Sequence, residues 1–455
     1  MSDKSNAVPL VKTTFFEKVS YGMGDVACNV VVAITSSLLI YFYTNVIGIS
    51  AALVGSLMLA SRIFDGISDL IMAQVMDKVN SKLGKYRAWV LWTAIPYGIS
   101  AVALVCIPPH ATTAVQAVYI FVTYNLCTTV CYTALNLPYS ALAPTMTNDE
   151  DDLAKINIFR MSMSPIGNMI VTAVTLPFIN RLGGDQKAWI TVTAVYAVIA
   201  FFMLLLTFVK SKERFMPKSI NEAADLPFTK RLKAAFTNKY FLILCLTTIA
   251  AALYQNVNGV CTTYYAQYIL GNVELMGALQ TAEKIPWIIG IMVLAPFITR
   301  LGKRNMILIG SALCLIGQAV VLFAPENYMA LMIAAVLRGF GEAPFYGCCY
   351  TMIADAIDYG HWRTGVRVHS LLFSASTVGL KFGSGVAAWV IGQLLTMSGF
   401  TGAAAEIPSA ISMIKNLYIW GSIIAWAAIF ILMLVYKLDK EHKQIVADLA
   451  ERGQL

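Results

Sequence analysis

Two carboxylates stand four residues apart in Ser61-Arg62-Ile63-Phe64-Asp65-Gly66-Ile67-Ser68-Asp69, inside an otherwise apolar run. On a helix, positions i and i+4 lie one turn apart on the same face, so Asp65 and Asp69 project side by side with the Ser68 hydroxyl next to them. Neighbouring carboxylates repel unless a cation or a shared proton lies between them, and a hard ion such as Na+ prefers such oxygen ligands. The chemistry on offer is reversible cation binding. A structural reading competes with it: Arg62, three residues before Asp65, forms an ion pair and the acids only line a polar seam.

Other polar groups interrupt apolar runs in the same way. A carboxylate at the centre of a bilayer costs ~2.5 kcal/mol or more on insertion scales, so each one invites a functional question. Asp25, after Tyr21-Gly22-Met23-Gly24, reads as a structural or gating pair before it reads as a ligand. Glu283 and Lys284 are adjacent and cannot face each other on a helix, so each needs its own partner. Glu342, four residues after Arg338, is placed to pair with it. Asp355 and Asp358 are expected to lock to Arg363 or Arg367, and Arg62, Lys85 and Arg87 complete the expected gate and ion-pair set. Tyr132, Thr133, Asn136, Tyr139 and Ser140 make a polar stripe around Pro138. Amides and aromatic rings suit a hydroxyl-rich ligand, although hydrogen bonds between helices explain the stripe equally well.

The elements that must carry these groups follow from composition. The chain has 455 residues, 58% hydrophobic and only 13% Asp, Glu, Lys or Arg, about half the charged fraction of an ordinary soluble domain. So few charges cannot cover two or three soluble domains, which excludes a water-soluble enzyme and leaves lipid as the solvent. A hydrocarbon core of ~30 Å needs ~20 apolar residues per helix. By that ruler twelve spans are expected, at 18–44, 50–77, 88–108, 114–143, 154–180, 188–209, 240–269, 274–299, 305–324, 328–356, 368–397 and 414–436. The only long polar stretch, 211–239, is expected as a central cytoplasmic loop between an N-terminal half at 1–210 and a C-terminal half at 240–437, with 438–455 a cytoplasmic tail.

Lys and Arg set the orientation, because positively charged loops stay cytoplasmic. With both termini inside, 26 of the 33 basic residues fall on the cytoplasmic side, and only Arg181, Lys187 and Lys415 fall outside. The formal net charge of +8 is then a topology signal and gives no reason to expect nucleic acid. Two echoes support a duplication. Gly84-Lys85-Tyr86-Arg87 matches Gly302-Lys303-Arg304-Asn305, and Pro138-Tyr139 through Asn148-Asp149 to Arg160 matches Pro344-Phe345-Tyr346 through Asp355 to Arg367. Duplicated six-helix halves are the means by which secondary transporters alternate access. The nine cysteines lack metal-ligand spacing and read as small hydrophobes, the first fifteen residues lack an apolar signal region, and no GxxxxGK[ST] loop is present. Neither an enzyme nor a cofactor is expected; the partners are the lipid bilayer and a small molecule, and the chain is expected to act as a monomer.

The segments YGMGD at 21–25, YFYTNVIGIS at 41–50, SRIFDGISD at 61–69, LGKYRAW at 83–89, NLPYSALAPTMTND at 136–149 and ADAIDYG at 354–360 resemble those of the glycoside-pentoside-hexuronide:cation symporter family, the melibiose permease branch of the major facilitator superfamily. The resemblance spans most of the chain in the family's order. It implies an all-α membrane fold of twelve helices in two six-helix halves, and symport of a sugar with Na+ or H+. It also implies a cation site of Asp65, Ser68, Asp69 and Thr133, with Ser68 standing where the melibiose-type pattern has Asn. For the sugar it points to Asn29, Tyr132, Asn136, Ser140, Arg160, Tyr346 and Lys381. Two acids of the melibiose-type site match Asn29 and Asn136 here, which argues against a melibiose-like galactoside. Neutral amides beside Arg160 and Lys381 suit a glucuronide; neutral pentosides or xylosides are the alternative, and a lipid or lysophospholipid carrier of the same fold is another.

Overall fold

The computed structural model describes residues 11–79, 81–215, 236–364, 369–402 and 407–451. In lipid every backbone N–H and C=O must be satisfied within its own segment, which leaves helices as the natural form for long apolar runs. Among the described residues twelve long helical segments occur, one over each expected span. They are α1 (Phe15–Val46), α2 (Ala51–Lys78), α3 (Arg87–Ala103), α4 (Thr113–Met146), α5 (Glu150–Arg181), α6 (Gln186–Lys210), α7 (Lys239–Tyr268), α8 (Leu275–Val293, continued by Ala295–Leu301), α9 (Lys303–Phe323), α10 (Tyr328–Thr364), α11 (His369–Met397) and α12 (Pro408–Val435). Eight contain a stretch long and apolar enough to cross a membrane: α1, α4, α5, α6, α7, α9, α11 and α12. Large apolar side chains such as Val118, Phe202, Leu246, Ile316 and Ile424 stay exposed on them, as a lipid-facing surface requires.

A thirteenth helix, α13 (Leu438–Glu451), occupies the segment expected as a tail. Its apolar positions Leu438, Ile445 and Leu449 fall on one helical face and are buried, packing into the same core as Trp426 and Tyr359.

The chain divides into two compact units, Met1–Thr35 with Ile63–Ser219, and Ser36–Arg62 with Ile220–Leu455. These differ from the 1–210 and 240–437 halves at residues 36–62. That segment is bonded into the second unit: the Thr44 and Tyr264 hydroxyls lie 2.8 Å apart, Thr263 donates to the Ser37 carbonyl at 3.1 Å, and the Ala52 N–H donates to Thr396 at 2.9 Å.

Each unit contains one of the basic turns, and each turn is built alike. Gly84 and Gly302 take positive φ, +111° and +82°, which a side chain would strain. In the first unit Glu213 accepts the N–H groups of Lys85, Tyr86 and Arg87 at 2.9, 2.7 and 2.6 Å, while Arg87 Nε donates to the Phe208 carbonyl at 2.6 Å. In the second, Asp439 accepts the Arg304 N–H at 2.7 Å, and Arg304 donates to the carbonyls of Met433 and Leu434 at 2.8 and 2.9 Å. A carboxylate thus caps the start of one helix while an arginine caps the end of another. The structural counterpart of Arg304 is Arg87, so the two turns are offset by one residue from the sequence match of Tyr86 to Arg304.

Candidate functional site

Within the first unit, α2 and α4 bring the cation candidates together. Asp65 is buried, 3% exposed, one turn before Asp69. The Thr133 hydroxyl donates to Asp69 Oδ1 at 3.0 Å, and Ser68 Oγ donates to the Thr129 carbonyl at 2.7 Å. Thr129 lies in the widened π-helical turns Asn125–Cys131 of α4, a distortion frequent at functional sites. The result is a cluster of two carboxylates and two hydroxyls contributed by two helices.

Continuing from Thr133, α4 carries Tyr132, Asn136 and Ser140, spaced by four and therefore on one face. All three are half-buried, and their polar atoms make no hydrogen bond among the described residues. Beside them α1 and α5 supply the remaining candidates of this unit. Arg160 Nε pairs with Asp25 Oδ1 at 3.3 Å, its guanidinium lies 5.3 Å from the centre of the Tyr139 ring, and Asn29 Nδ2 donates to the Asp25 carbonyl at 2.8 Å. Tyr139 is stacked on Tyr21 with centroids 4.5 Å apart, each hydroxyl donating to the other's backbone carbonyl at 2.5 and 2.9 Å. Tyr21 did not stand out in the sequence, since an aromatic residue in an apolar run gives no sign of a reciprocal pair across two helices.

In the second unit Tyr346, on α10, packs edge-on against Trp287 and Phe345, with centroids at 5.6 and 5.0 Å, and Lys381 is half-buried on α11. The stem of Arg62 lies against Gly385, which has no side chain there to obstruct it. Two ion pairings differ from expectation. Arg338 pairs with Glu283, at 3.1 Å, and not with Glu342; Glu342 faces Lys284 at 3.9 Å. The reason is that Arg338 is already directed across the helices by Gln318 at 3.0 Å and Tyr418 at 2.9 Å. Asp355 and Asp358 also lack the expected Arg363: Asp355 pairs with Lys303 at 2.6 Å, and His442 of α13 stands 3.5 Å from Asp355 and 3.2 Å from Asp358. Arg363 instead donates to the Thr237 carbonyl at 3.3 Å, and Arg367 lies outside the described residues. An expectation of a tail at 438–455 gives His442 no role, although the apolar spacing of Leu438, Ile445 and Leu449 marks the helix that carries it.

Residues 20–440 match the model of the MFS/sugar transport protein family, and the chain belongs to that family. It is a family of transporters, not enzymes. An isoprimeverose transporter of Lactiplantibacillus pentosus is 29% identical over 443 residues, 96% of this chain and 91% of the relative. The putative glycoside/cation symporter YagG of Escherichia coli (strain K12) is 27% identical, covering 98% of both chains. The crystal structure of a D-xylose-proton symporter superposes with a TM-score of 0.64 at 14% identity, over 91% of this chain and 97% of that one, a likeness of fold. The relatives' names accord with the glycoside-pentoside-hexuronide:cation branch that the motifs resemble.

Proposed function

We propose that this chain is a secondary transporter that carries a neutral, pentose-containing glycoside together with a cation by alternating access. The observation that carries the reading is the face of α4 that presents the side chains of Tyr132, Asn136 and Ser140 without hydrogen bonds among the described residues, next to Thr133, whose hydroxyl meets Asp69 at 3.0 Å. One helix thereby holds sugar-facing groups and a cation ligand in consecutive turns, so ordering Thr133 on a bound ion also orders Tyr132 and Asn136. Asp65, Ser68, Asp69 and Thr133 are the cation ligands, and Asn29, Tyr132, Asn136, Ser140, Arg160, Tyr346 and Lys381 the sugar contacts. Arg160 shares its charge with Asp25, which favours a neutral sugar over a glucuronide, and the isoprimeverose relative supports the same choice. Both termini are cytoplasmic in this reading, and Lys303, Asp355, Asp358 and His442 form the ion pairs of the gate.

The test is uptake into proteoliposomes of isoprimeverose and of a phenyl glucuronide, each with an imposed Na+ or H+ gradient. Isoprimeverose should accumulate under one of the gradients. Asp69→Asn should abolish accumulation while leaving sugar exchange, and Asn136→Ala should remove both with the fold intact. Accumulation that survives Asp69→Asn would sink the coupling role, and preferential uptake of the glucuronide would reverse the choice of substrate.

A further inference from the structure

The second unit holds another pair of acids, on α8 and α10, that the cation site does not use. Glu283 and Glu342 lie against each other, with their residues 2% and 0% exposed. Their surroundings are unequal. Glu283 accepts from Arg338 Nη2 at 3.1 Å, the Tyr254 hydroxyl at 3.1 Å and Asn258 Nδ2 at 2.6 Å, so its negative charge is fully met. Glu342 accepts no hydrogen bond at either oxygen among the described residues. Its nearest cation, Lys284 Nζ, stands 3.9 Å from Oε2, beyond hydrogen-bond length, and also lies 5.3 Å from the centre of the Trp287 ring.

A bare carboxylate in that position would lack both water and donors, and it would sit beside a second negative charge on Glu283. A proton removes both penalties, because the neutral acid gains a hydroxyl that can donate to the adjacent Glu283 carboxylate. The other titratable or charged groups facing Glu342 are Lys284 on α8, Tyr254 on α7 and Cys314 on α9; Arg338, one turn earlier on its own helix, is turned toward Glu283 and toward Tyr418 on α12. Arg338 is engaged by Glu283, Gln318 and Tyr418, which leaves Lys284 as the cation able to respond. The Lys284 side chain is 25% exposed, whereas Glu342 is buried.

We propose that Glu342 is a proton-binding site within the membrane, holding a proton in this conformation and releasing it to water when the Lys284 ammonium closes on its carboxylate. In that step the O–H bond of Glu342 breaks, the proton passes to water, and the Lys284–Glu342 ion pair replaces the hydrogen bond to Glu283. The proposal rests on the symport reading and deepens it, since it gives the second unit an ion of its own, H+, apart from whatever binds Asp65 and Asp69.

Infrared difference spectra of the full chain in detergent, taken from about pH 5 to about pH 10, test this without sugar or gradient, so a failure of the sugar reading cannot be mistaken for a failure here. The carbonyl-stretch band of a buried protonated carboxylic acid is expected in the parent protein, fading as the pH rises and absent from Glu342→Gln. In Lys284→Met, which keeps the acid in place should the first variant not fold, the midpoint of that fading should move up by about one pH unit or more. A band that persists in Glu342→Gln, that never fades across the range, or whose midpoint is unmoved in Lys284→Met overturns the proposal.

Discussion

Burying a guanidinium to 1% exposure strips its hydration, and Arg338 tolerates this because Glu283, Gln318 and Tyr418 close around it at 3.1, 3.0 and 2.9 Å. Breaking a buried pair by removing one partner costs about 3–5 kcal/mol, because the survivor is left charged and desolvated. Arg338→Met should therefore lower the thermal unfolding midpoint sharply, and adding Glu283→Gln should recover most of the loss, since the double variant leaves no uncompensated charge. A double variant as unstable as Arg338→Met alone would mean that Arg338 acts through packing.

Between α9 and α10 the contact is backbone to backbone. A side chain on Gly341 would meet the Gly310 carbonyl at 2.6 Å and also the Cys314 sulfur, and one on Gly317 would meet the Ala334 carbonyl at 3.0 Å. Small residues let membrane helices approach this closely, and packing there replaces the absent hydrophobic drive. Gly341→Ala should cost about 1–3 kcal/mol in detergent unfolding, because no flexible side chain can give way. Gly66→Ala, with nothing within 4 Å of the added carbon, should cost nothing by that route; equal losses in the two would refute the close-approach account. The same contrast explains what could be read in advance. The twelve helices and the shared face of Asp65 and Asp69 depend on apolar run length and helical period, which are local. The Lys85 and Lys303 turns were legible as basic turns, but their acceptors Glu213 and Asp439 lie more than a hundred residues away. The Arg338–Glu342 expectation obeyed the i, i+4 rule and failed because α8, α9 and α12 offered better partners. Choice among partners is a tertiary property, and the sequence misleads at ion pairs and at α13, a short helix beyond the last span, and not at the twelve long helices.

The two units carry opposite pH sensitivities outside the membrane spans. In the first, Asp152 precedes the apolar stretch of α5 and accepts from the Thr13 N–H and hydroxyl at 2.7 and 2.6 Å and pairs with Lys18 at 2.7 Å. Burial alone would raise its pKa, but the hydrogen bonds from Lys18 and Thr13 outweigh it and bring the carboxyl from 3.8 to about 2. A depressed carboxylate contributes stability above its unfolded value, lost as the pH falls toward 2; the contribution is on the order of 1–2 kcal/mol, and Asp152→Asn should remove it at neutral pH. In the second, the hydrogen bond to Asp358 raises His442 above 6.5 against the opposing effect of burial, with Asp355 adding to it. A raised histidine stabilises fully below 6.5 and loses that contribution as the pH rises through its folded value. Because the ring is partly exposed, the effect stays under about 1 kcal/mol, and His442→Asn should flatten only the alkaline limb of the stability profile.

Orientation is the other property that only the whole chain carries. A helix bundle inserts either way up as far as hydropathy is concerned, so the asymmetry of 26 basic residues against three must decide the side. Lys82 and Lys187 are both exposed and lie on opposite predicted sides, while the nine native cysteines are buried or half-buried and give little background. A membrane-impermeant maleimide should label Lys187→Cys in intact cells and reach Lys82→Cys only after permeabilisation. The opposite pattern would invert the molecule and place the Lys303–Asp355 and His442–Asp358 pairs outside. As the proposed gate, those pairs would then act from the other face, because a gate is named by the side on which its charges stand.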